Sequence, residues 1–323
     1  MGDTLPNESS AVGGSTQPGG GKAAGSGPGS GLGSDLVSSP VNGSGSGSAS
    51  PHVVLTIAGF DPSSGAGVTA DLKTIAAHGL YGVACITALT VQSTQGVRRT
   101  EPVSPELVRD TLACLAGDVE LSAIKIGMLG TAGVVLAVAA FLRGLGQTVS
   151  GAVPVVLDPV LRSSSGRELL DAAGLAAMRK ELLGLVDWVT PNTDELAALT
   201  GMAVGDRVTR EQIAQGVIEL QRSVEAQTGR RLNLVVTGGD LEQPDDYLLP
   251  ASGAGLWLAG ERVETTSTHG TGCAFSSALA CQLALGNGPA AAGQAAKAYV
   301  TGALRAAYPV GKGRGPMNHL WRE

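Results

Sequence analysis

Six short runs of apolar, largely β-branched residues recur along the chain: HVVLTIAG (52–59), GVACITALTV (82–91), SAIKIG (122–127), VPVVLD (153–158), VDWVT (186–190) and LNLVVT (232–237). Between them lie segments whose apolar residues return every three or four positions, as in ADLKTIAAHG, PELVRDTLACLAG, TAGVVLAVAAFLRG, the stretch after Arg167, DELAALTG and 210–227. A strand that is apolar on both alternating faces must be covered on both, and a strand running parallel to its predecessor needs a crossover, which the helices supply. The expectation is an α/β fold with one mostly parallel central sheet between helical layers. After Thr237 the pattern changes to the short strand-like pieces YLLP, GLWLAG and ERVETT, then to helices over 271–285 and 289–307. With no internal repeat or linker, 51–323 reads as one domain.

Residues 1–50 lack this pattern, being nearly all Gly, Ser, Pro, Ala and small polar types. Such a segment buries too little to offset a chain-entropy cost of ~1–2 kcal/mol per residue, so a disordered Gly/Ser/Pro-rich tail is expected. It has no apolar core of a secretory signal, and no unbroken apolar stretch is long enough to cross a bilayer, so a cytoplasmic protein with no membrane partner is expected. Of 323 residues 43% are hydrophobic and 15% charged, enough for a large core; the net charge of -6 and the lack of any Lys/Arg-rich run argue against a nucleic-acid partner. Cys85, Cys114, Cys273 and Cys281 show no CxxC spacing, so neither a zinc site nor a disulfide framework is indicated, and apart from Cys273 they are expected to be plain buried residues.

A sheet of this kind binds ligands beyond the carboxyl ends of its strands. The loops there are GFDPSSGAG, TVQSTQG, GMLG, DPVLRSSSG, TPNTDE and TGGD. Further on, THGTGCAFSSALA sets Gly270, Thr271, Gly272 and Cys273 against the start of an apolar helix. A helix N-terminus presents free N–H groups and about half a positive charge, so this corner is either an anion site or only a tight turn. The same field would draw the Cys273 thiol down from ~8.5 toward neutrality and make a thiolate available as a base. His269 reads as a loop residue satisfied by backbone. Asp71, in the first turns of the helix after GFDPSSGAG, is either a dipole-complementing carboxylate or an acceptor for an amino group on a heterocycle; Gln92 offers a donor and an acceptor for the same edge. Asp158, Asn192 and Glu195 could gather the water shell of Mg²⁺, or Asn192 and Glu195 could simply cap a helix.

In this order LTIAGFDPSSGAGVTADLKT, YGVACITALTVQST, IKIGMLG, VVLDPV, TPNTDE, THGTGC and GKGRGP resemble the hydroxymethylpyrimidine kinase/phosphomethylpyrimidine kinase family of thiamine biosynthesis, from about Val53 to the end. The resemblance implies a ribokinase-like three-layer sandwich and ATP-dependent phosphorylation, with Mg²⁺, of 4-amino-5-hydroxymethyl-2-methylpyrimidine to its monophosphate and then its diphosphate. It implies a pyrimidine site of Gly59, Ala66, Asp71, Gln92, Met128 and Val160, and an anion hole of Gly270, Thr271 and Gly272 with Cys273 as base. Asn192 and Glu195, with Thr237 and Gly239 of the sixth-strand loop, would serve the nucleotide; Asp158 and Glu195 would serve the metal. A homodimer is expected by the same resemblance. Two departures stand out: Thr237 occupies the place of the family's usual Lys, so that either Lys125, Arg162 or another cation substitutes or ATP binds more weakly, and LRSSSG replaces the usual MAKSG-like run. The rival readings are a pyridoxal or pyridoxine kinase and a non-catalytic pyrimidine or nucleotide sensor.

Overall fold

Residues 51–148, 153–202, 208–239 and 241–322 are described by the structure, a computed structural model. The tail expected over 1–50 lies outside the described residues. Strand β1 (Val53–Phe60) is central, paired in parallel with β2 (Tyr81–Ser93) on one side and β4 (Leu121–Ile126) on the other. Parallel pairing continues through β5 (Val155–Leu157), β6 (Trp188–Val189) and β7 (Asn233–Val236). Antiparallel strands close both edges: β3 (Gly96–Pro102) beside β2, and β8 (Asp246–Leu249) and β9 (Leu256–Leu258) beyond β7. Among the described residues the nine strands form one sheet in the order β3-β2-β1-β4-β5-β6-β7-β8-β9. The order turns back between β1 and β4, which opens a crevice at their carboxyl ends.

The alternation of side chains along each strand divides the core in two. Leu55, Ile57, Ile124, Ile126 and Leu157 face α2 (Pro105–Asp118), α3 (Ala132–Thr148), α5 (Thr193–Thr200) and α6 (Arg210–Thr228). Val54, Ala123, Val156 and Val235 face α1 (Gly67–Ala77), α7 (Thr271–Ala284) and α8 (Pro289–Arg305). The helix starts follow local chemistry. Ser104 accepts from the Leu107 N–H ahead of Pro105, and Thr209 and Gln212 close a capping box on α6. The stretch after Arg167 is only partly α-helical: α4 (Ala172–Ala177) passes into a π turn at Met178–Leu182. The YLLP and GLWLAG pieces become β8 and β9, whereas ERVETT forms no strand.

On the α1/α7 side β1 and β4 each carry a fully buried polar interruption, Thr56 and Lys125. They meet Asp71 of α1. Lys125 Nζ lies 3.0 and 2.9 Å from the two carboxylate oxygens, Thr56 Oγ1 donates at 2.6 Å, and Ser277 Oγ of α7 donates at 2.8 Å. Burial alone would drive the ammonium's pKa down, but Asp71, with Cys273 and Asp158, outweighs it and the net shift is upward. Asp71 is therefore saturated inside the core, and the expected role as a substrate contact is corrected: it ties two strands to two helices. Lys125 is likewise committed and cannot replace a nucleotide-binding Lys. Removing one partner of such a pair leaves an uncompensated buried charge, so Lys125→Met should lower unfolding stability by ~3–5 kcal/mol in urea titration. The double variant Lys125→Met, Asp71→Asn should regain much of that loss; a single variant as stable as the parent would refute this account.

Candidate active site

The β1–α1 loop and the turn before α7 are packed backbone to backbone. Gly270 has φ +81° and a side chain there would fall on the Gly65 carbonyl oxygen; Gly67, at φ +59°, abuts the Gly59 carbonyl in the same way. Gly272 differs, since a Cβ there would meet nothing within 4 Å. Its backbone is open to solvent at the first turn of α7, the place where the free N–H groups of a helix can receive an anion.

Around this turn the structure gathers the expected residues into three neighbouring groups. In the first, buried Gly59 backs onto Met128, whose Sδ lies 2.8 Å from where a Gly59 Cβ would stand. Ala66 gives its N–H to Asp61 Oδ2 at 3.0 Å. Gln92 is a strand residue rather than a loop residue: β2 runs on to Ser93 and turns tightly into β3, with Gln92 opposite Val97. Its carboxamide lies 3.1 Å from His269 Nε2. The reading of His269 as satisfied by backbone is corrected. His269 is 7% exposed, with Nε2 2.7 Å from Asp61 Oδ2 and Nδ1 3.1 Å from Ser164 Oγ, so side chains from two loops and from the end of β2 converge on its ring.

The second group is Cys273, Asp158 and Val160. Asp158 accepts from Ser276 Oγ at 3.1 Å and its own carbonyl accepts from the Val160 N–H at 2.8 Å. Burial raises the Asp158 pKa, Lys125 partly opposes this, and hydrogen bonds from Ser276 and Cys273 oppose it further. The thiol of Cys273 is pushed up to about 12 by burial and by the Asp158 and Asp71 carboxylates, against a downward pull from Lys125. The expected drop toward neutrality at the helix N-terminus is thus corrected: the thiol rests protonated. All four cysteines are free, and Cys114, expected to be buried, is exposed on α2.

The third group is Asn192, Glu195, Thr237 and Gly239. Asn192 and Glu195 form a complete capping box on α5, with Asn192 Oδ1 accepting at 2.8 Å and Glu195 Oε2 at 3.0 Å. Thr237 is bridged to Asn192 by its N–H to the Pro191 carbonyl at 3.0 Å, and Gly239 is exposed in the loop beyond. Burial, then repulsion from Asp158, raises the Glu195 carboxyl to about 8. Among the described residues no set of three or more His, Cys, Asp or Glu side chains is arranged to hold a metal ion. Two buried carboxylates, one raised by the charge of the other, nevertheless suit a hard cation that keeps its water and takes its other oxygens from phosphates.

The C-terminal segment closes the rim. Gly313 N–H donates to Thr94 Oγ1 at 3.2 Å and Arg314 reaches the Ser164 carbonyl at 3.5 Å. The Gly315 carbonyl accepts from the His269 N–H at 3.1 Å, in a short bridge between His269 and Pro316. Behind this strap a cavity of about 360 Å³ is lined by Gln92, His269, Ser164 and Arg314 among others. Asp61, Ser164, Ser276 and Ser277 were not singled out by the sequence, although Asp61 sits inside the GFDPSSG motif and the serine pair interrupts an otherwise apolar helix.

Solved proteins with this architecture define the class. The chain matches an ADP complex of pyridoxal kinase from Bacillus subtilis with TM-score 0.70 and 29% identity, covering 84% of this chain and 98% of that one. It matches phosphomethylpyrimidine kinase from Clostridium difficile with TM-score 0.64 and 29% identity, covering 77% and 98%. The fold is that of kinases of small heterocyclic molecules. Sequence narrows the class: the pattern of the phosphomethylpyrimidine kinase family matches residues 61–318. A hydroxymethylpyrimidine/phosphomethylpyrimidine kinase from Streptomyces coelicolor is 39% identical over 272 residues, 84% of this chain and 96% of the relative. The chain belongs to the phosphomethylpyrimidine kinase family.

With the thiol pKa near 12 the thiolate fraction grows with every step in pH across the neutral range. In a Cys114→Ser background, alkylation of Cys273 by iodoacetamide should rise about tenfold per pH unit from about pH 7 to 9 without levelling. A plateau below about pH 8 would show a thiol activated in the free protein.

Proposed function

We propose that the protein transfers the γ-phosphoryl group of ATP to the hydroxymethyl group of 4-amino-5-hydroxymethyl-2-methylpyrimidine, and then a second one to the monophosphate formed. The observation that carries this reading is the turn Gly270–Cys273, open at Gly272, with the Cys273 thiol against Asp158 and with Gln92 lining the cavity beside His269. Gln92 supplies a donor–acceptor edge on that cavity, and Met128, against Gly59, would supply an apolar wall, which together suit a flat aminopyrimidine.

In this reading the free N–H groups of the Gly270–Cys273 turn receive the charge of the transferring phosphoryl group. Cys273 takes the hydroxyl proton as the oxygen attacks. A resting thiol near 12 is a strong base once ionised but scarce, because burial holds it up and the Asp158 and Asp71 carboxylates add to that. Whatever neutralises Asp158 relieves that repulsion, so the thiolate forms in the loaded site rather than in the free protein. Asp158 and Glu195 are the residues that would hold Mg²⁺, which when bound neutralises phosphate charge. Thr237 and Gly239 would line the nucleotide side. With the charge of the family's usual Lys missing there and Lys125 buried against Asp71, exposed Arg162 is the remaining cation named by the sequence. The homodimer that the resemblance implies and the cytoplasmic location expected from the sequence stand with this proposal; among the described residues no helix is long and apolar enough to cross a membrane.

General-base catalysis is worth ~10²–10⁴-fold, so Cys273→Ala should lower turnover of the hydroxymethylpyrimidine on that scale with little change in its KM. The second step uses a phosphate already ionised at neutral pH and should suffer less. Near-parental turnover, or equal loss in both steps, would remove Cys273 from the role of base; assays with pyridoxal alongside separate the two kinase readings. The metal assignment has a readout apart from turnover. Glu195 has a folded pKa raised from 4.5 to about 8, so it favours the fold while protonated, and that contribution is lost as pH rises through this window. The melting temperature of the parent should therefore fall relative to Glu195→Gln, which keeps the capping box, between about pH 5 and 8. Millimolar Mg²⁺ should close the gap at the upper end; no effect of Mg²⁺ would count against Glu195 as a ligand.

A further inference from the structure

The carboxamide of Gln92 lies between two partners, one end 3.1 Å from His269 Nε2 and the other 3.2 Å from Thr90 Oγ1. Which end is oxygen follows from counting protons. Asp61 is 3% exposed, and its carboxylate already receives the Ser63 N–H at 2.8 Å, the Ser63 hydroxyl at 2.7 Å and the Ala66 N–H at 3.0 Å. Burial raises its pKa, but the hydrogen bonds and charge of His269 and Ser63 outweigh burial and keep it ionised. At 2.7 Å from His269 Nε2 it can only accept, so the hydrogen is on Nε2. A ring nitrogen that donates has no lone pair left for an amide N–H. The end of Gln92 that faces His269 is satisfied only as oxygen.

Thr90 leads to the same assignment. Its one hydroxyl hydrogen has the Phe60 carbonyl at 2.9 Å, which leaves a lone pair toward the other end of the amide. With the NH₂ group on that side, Thr90 donates once and accepts once and no group is left facing its like. The required half-turn about the last side-chain bond exchanges N and O without moving the plane of the amide. On the far side of the ring Nδ1 meets Ser164 Oγ at 3.1 Å, accepting when the ring is neutral and donating when it is charged. Nε2 carries a hydrogen in both states, so the order of the amide does not depend on the charge of His269.

We propose that His269, held between Asp61 and Ser164, is a positioning residue that fixes the donor–acceptor order of the Gln92 carboxamide and so selects heterocycles by the order of donor and acceptor on their edge. The preferred ligand edge carries an amino donor beside a ring-nitrogen acceptor; an edge with an oxo group beside a ring N–H presents the reverse. This rests on the reading above that Gln92 faces the heterocycle.

Two measurements test it. Long-range ¹H–¹⁵N NMR of the intact protein should show His269 Nε2 protonated across the neutral range, and a neutral ring protonated on Nδ1 alone would overturn the proposal. In kinetics, the ratio of kcat/KM for the 4-amino substrate to that for its 4-oxo analogue should fall about tenfold or more in His269→Ala, because the freed amide can turn to suit either edge. His269→Gln, whose NH₂ can still donate toward Asp61 and Gln92, should recover part of the discrimination. Equal losses on both substrates would mean that His269 only packs against Gly65, and would overturn the proposal. The NMR measurement needs no substrate. Parent protein inert toward the aminopyrimidine would therefore overturn the proposed function, while the Nε2 result would still decide the assignment of Gln92.

Discussion

The buried contact between Lys125 and Asp71 is the constraint around which the rest is arranged. It joins β4 to α1, and through Thr56 and Ser277 it extends to β1 and α7, so the elements flanking the crevice share one carboxylate. Four hydrogen bonds to two oxygens leave no slack: shifting any of these elements would strand a charge in a region with no access to water. The opposite face of the sheet needs no such device. There β1, β4 and β5 meet α2, α3, α5 and α6 through aliphatic side chains, whose packing fixes distance but less strictly the register of one element on the next. The polar face is the one that carries the Gly270–Cys273 turn at the start of α7.

This charge cluster also sets the chemistry above it. Lys125, Asp71, Asp158 and Cys273 interact as one cluster, and three pKa directions follow from burial and these charges: the Lys125 ammonium up, the Asp158 carboxyl up, the Cys273 thiol up. A site left in that state is quiet, with the Cys273 thiol protonated and the Glu195 carboxyl raised by burial and by Asp158. Charge brought by ligands, rather than the fold alone, would release it. For a kinase such restraint has a plain benefit, since an ionised thiol in an open cleft would be exposed to oxidation and alkylation.

Most strands and helices were legible because their apolar residues keep a period of two or three to four, a signal that survives without knowledge of the partner. Strand β3 was not, since VRRTE carries three charged residues and earns its place only through backbone pairing along β2 at the edge of the sheet. ERVETT has a similar look but lies past β9 without a ladder. At the site, the turn Gly270–Cys273 and the capping box of Asn192 and Glu195 are local and could be read directly. The fate of Asp71 could not, because it is decided by a lysine 54 residues away that points to the same side of the sheet. The role of His269 was hidden for the same reason, as Asp61 stands 208 residues earlier. The resting state of Cys273 depends on burial and on charges from three other elements, none of which the THGTGC motif contains.

The strap of Gly313–Pro316 across the rim has a consequence for how the protein comes into being. His269, Thr94 and Ser164 each take a backbone or side-chain contact from this segment, so one side of the cleft is completed by residues that follow all nine described strands in the chain. A nascent chain can thus hold every one of those strands, with Asp71 and Lys125 both present, before this side of the cleft has been synthesised. An unfinished chain has the strands of the sheet without a finished pocket.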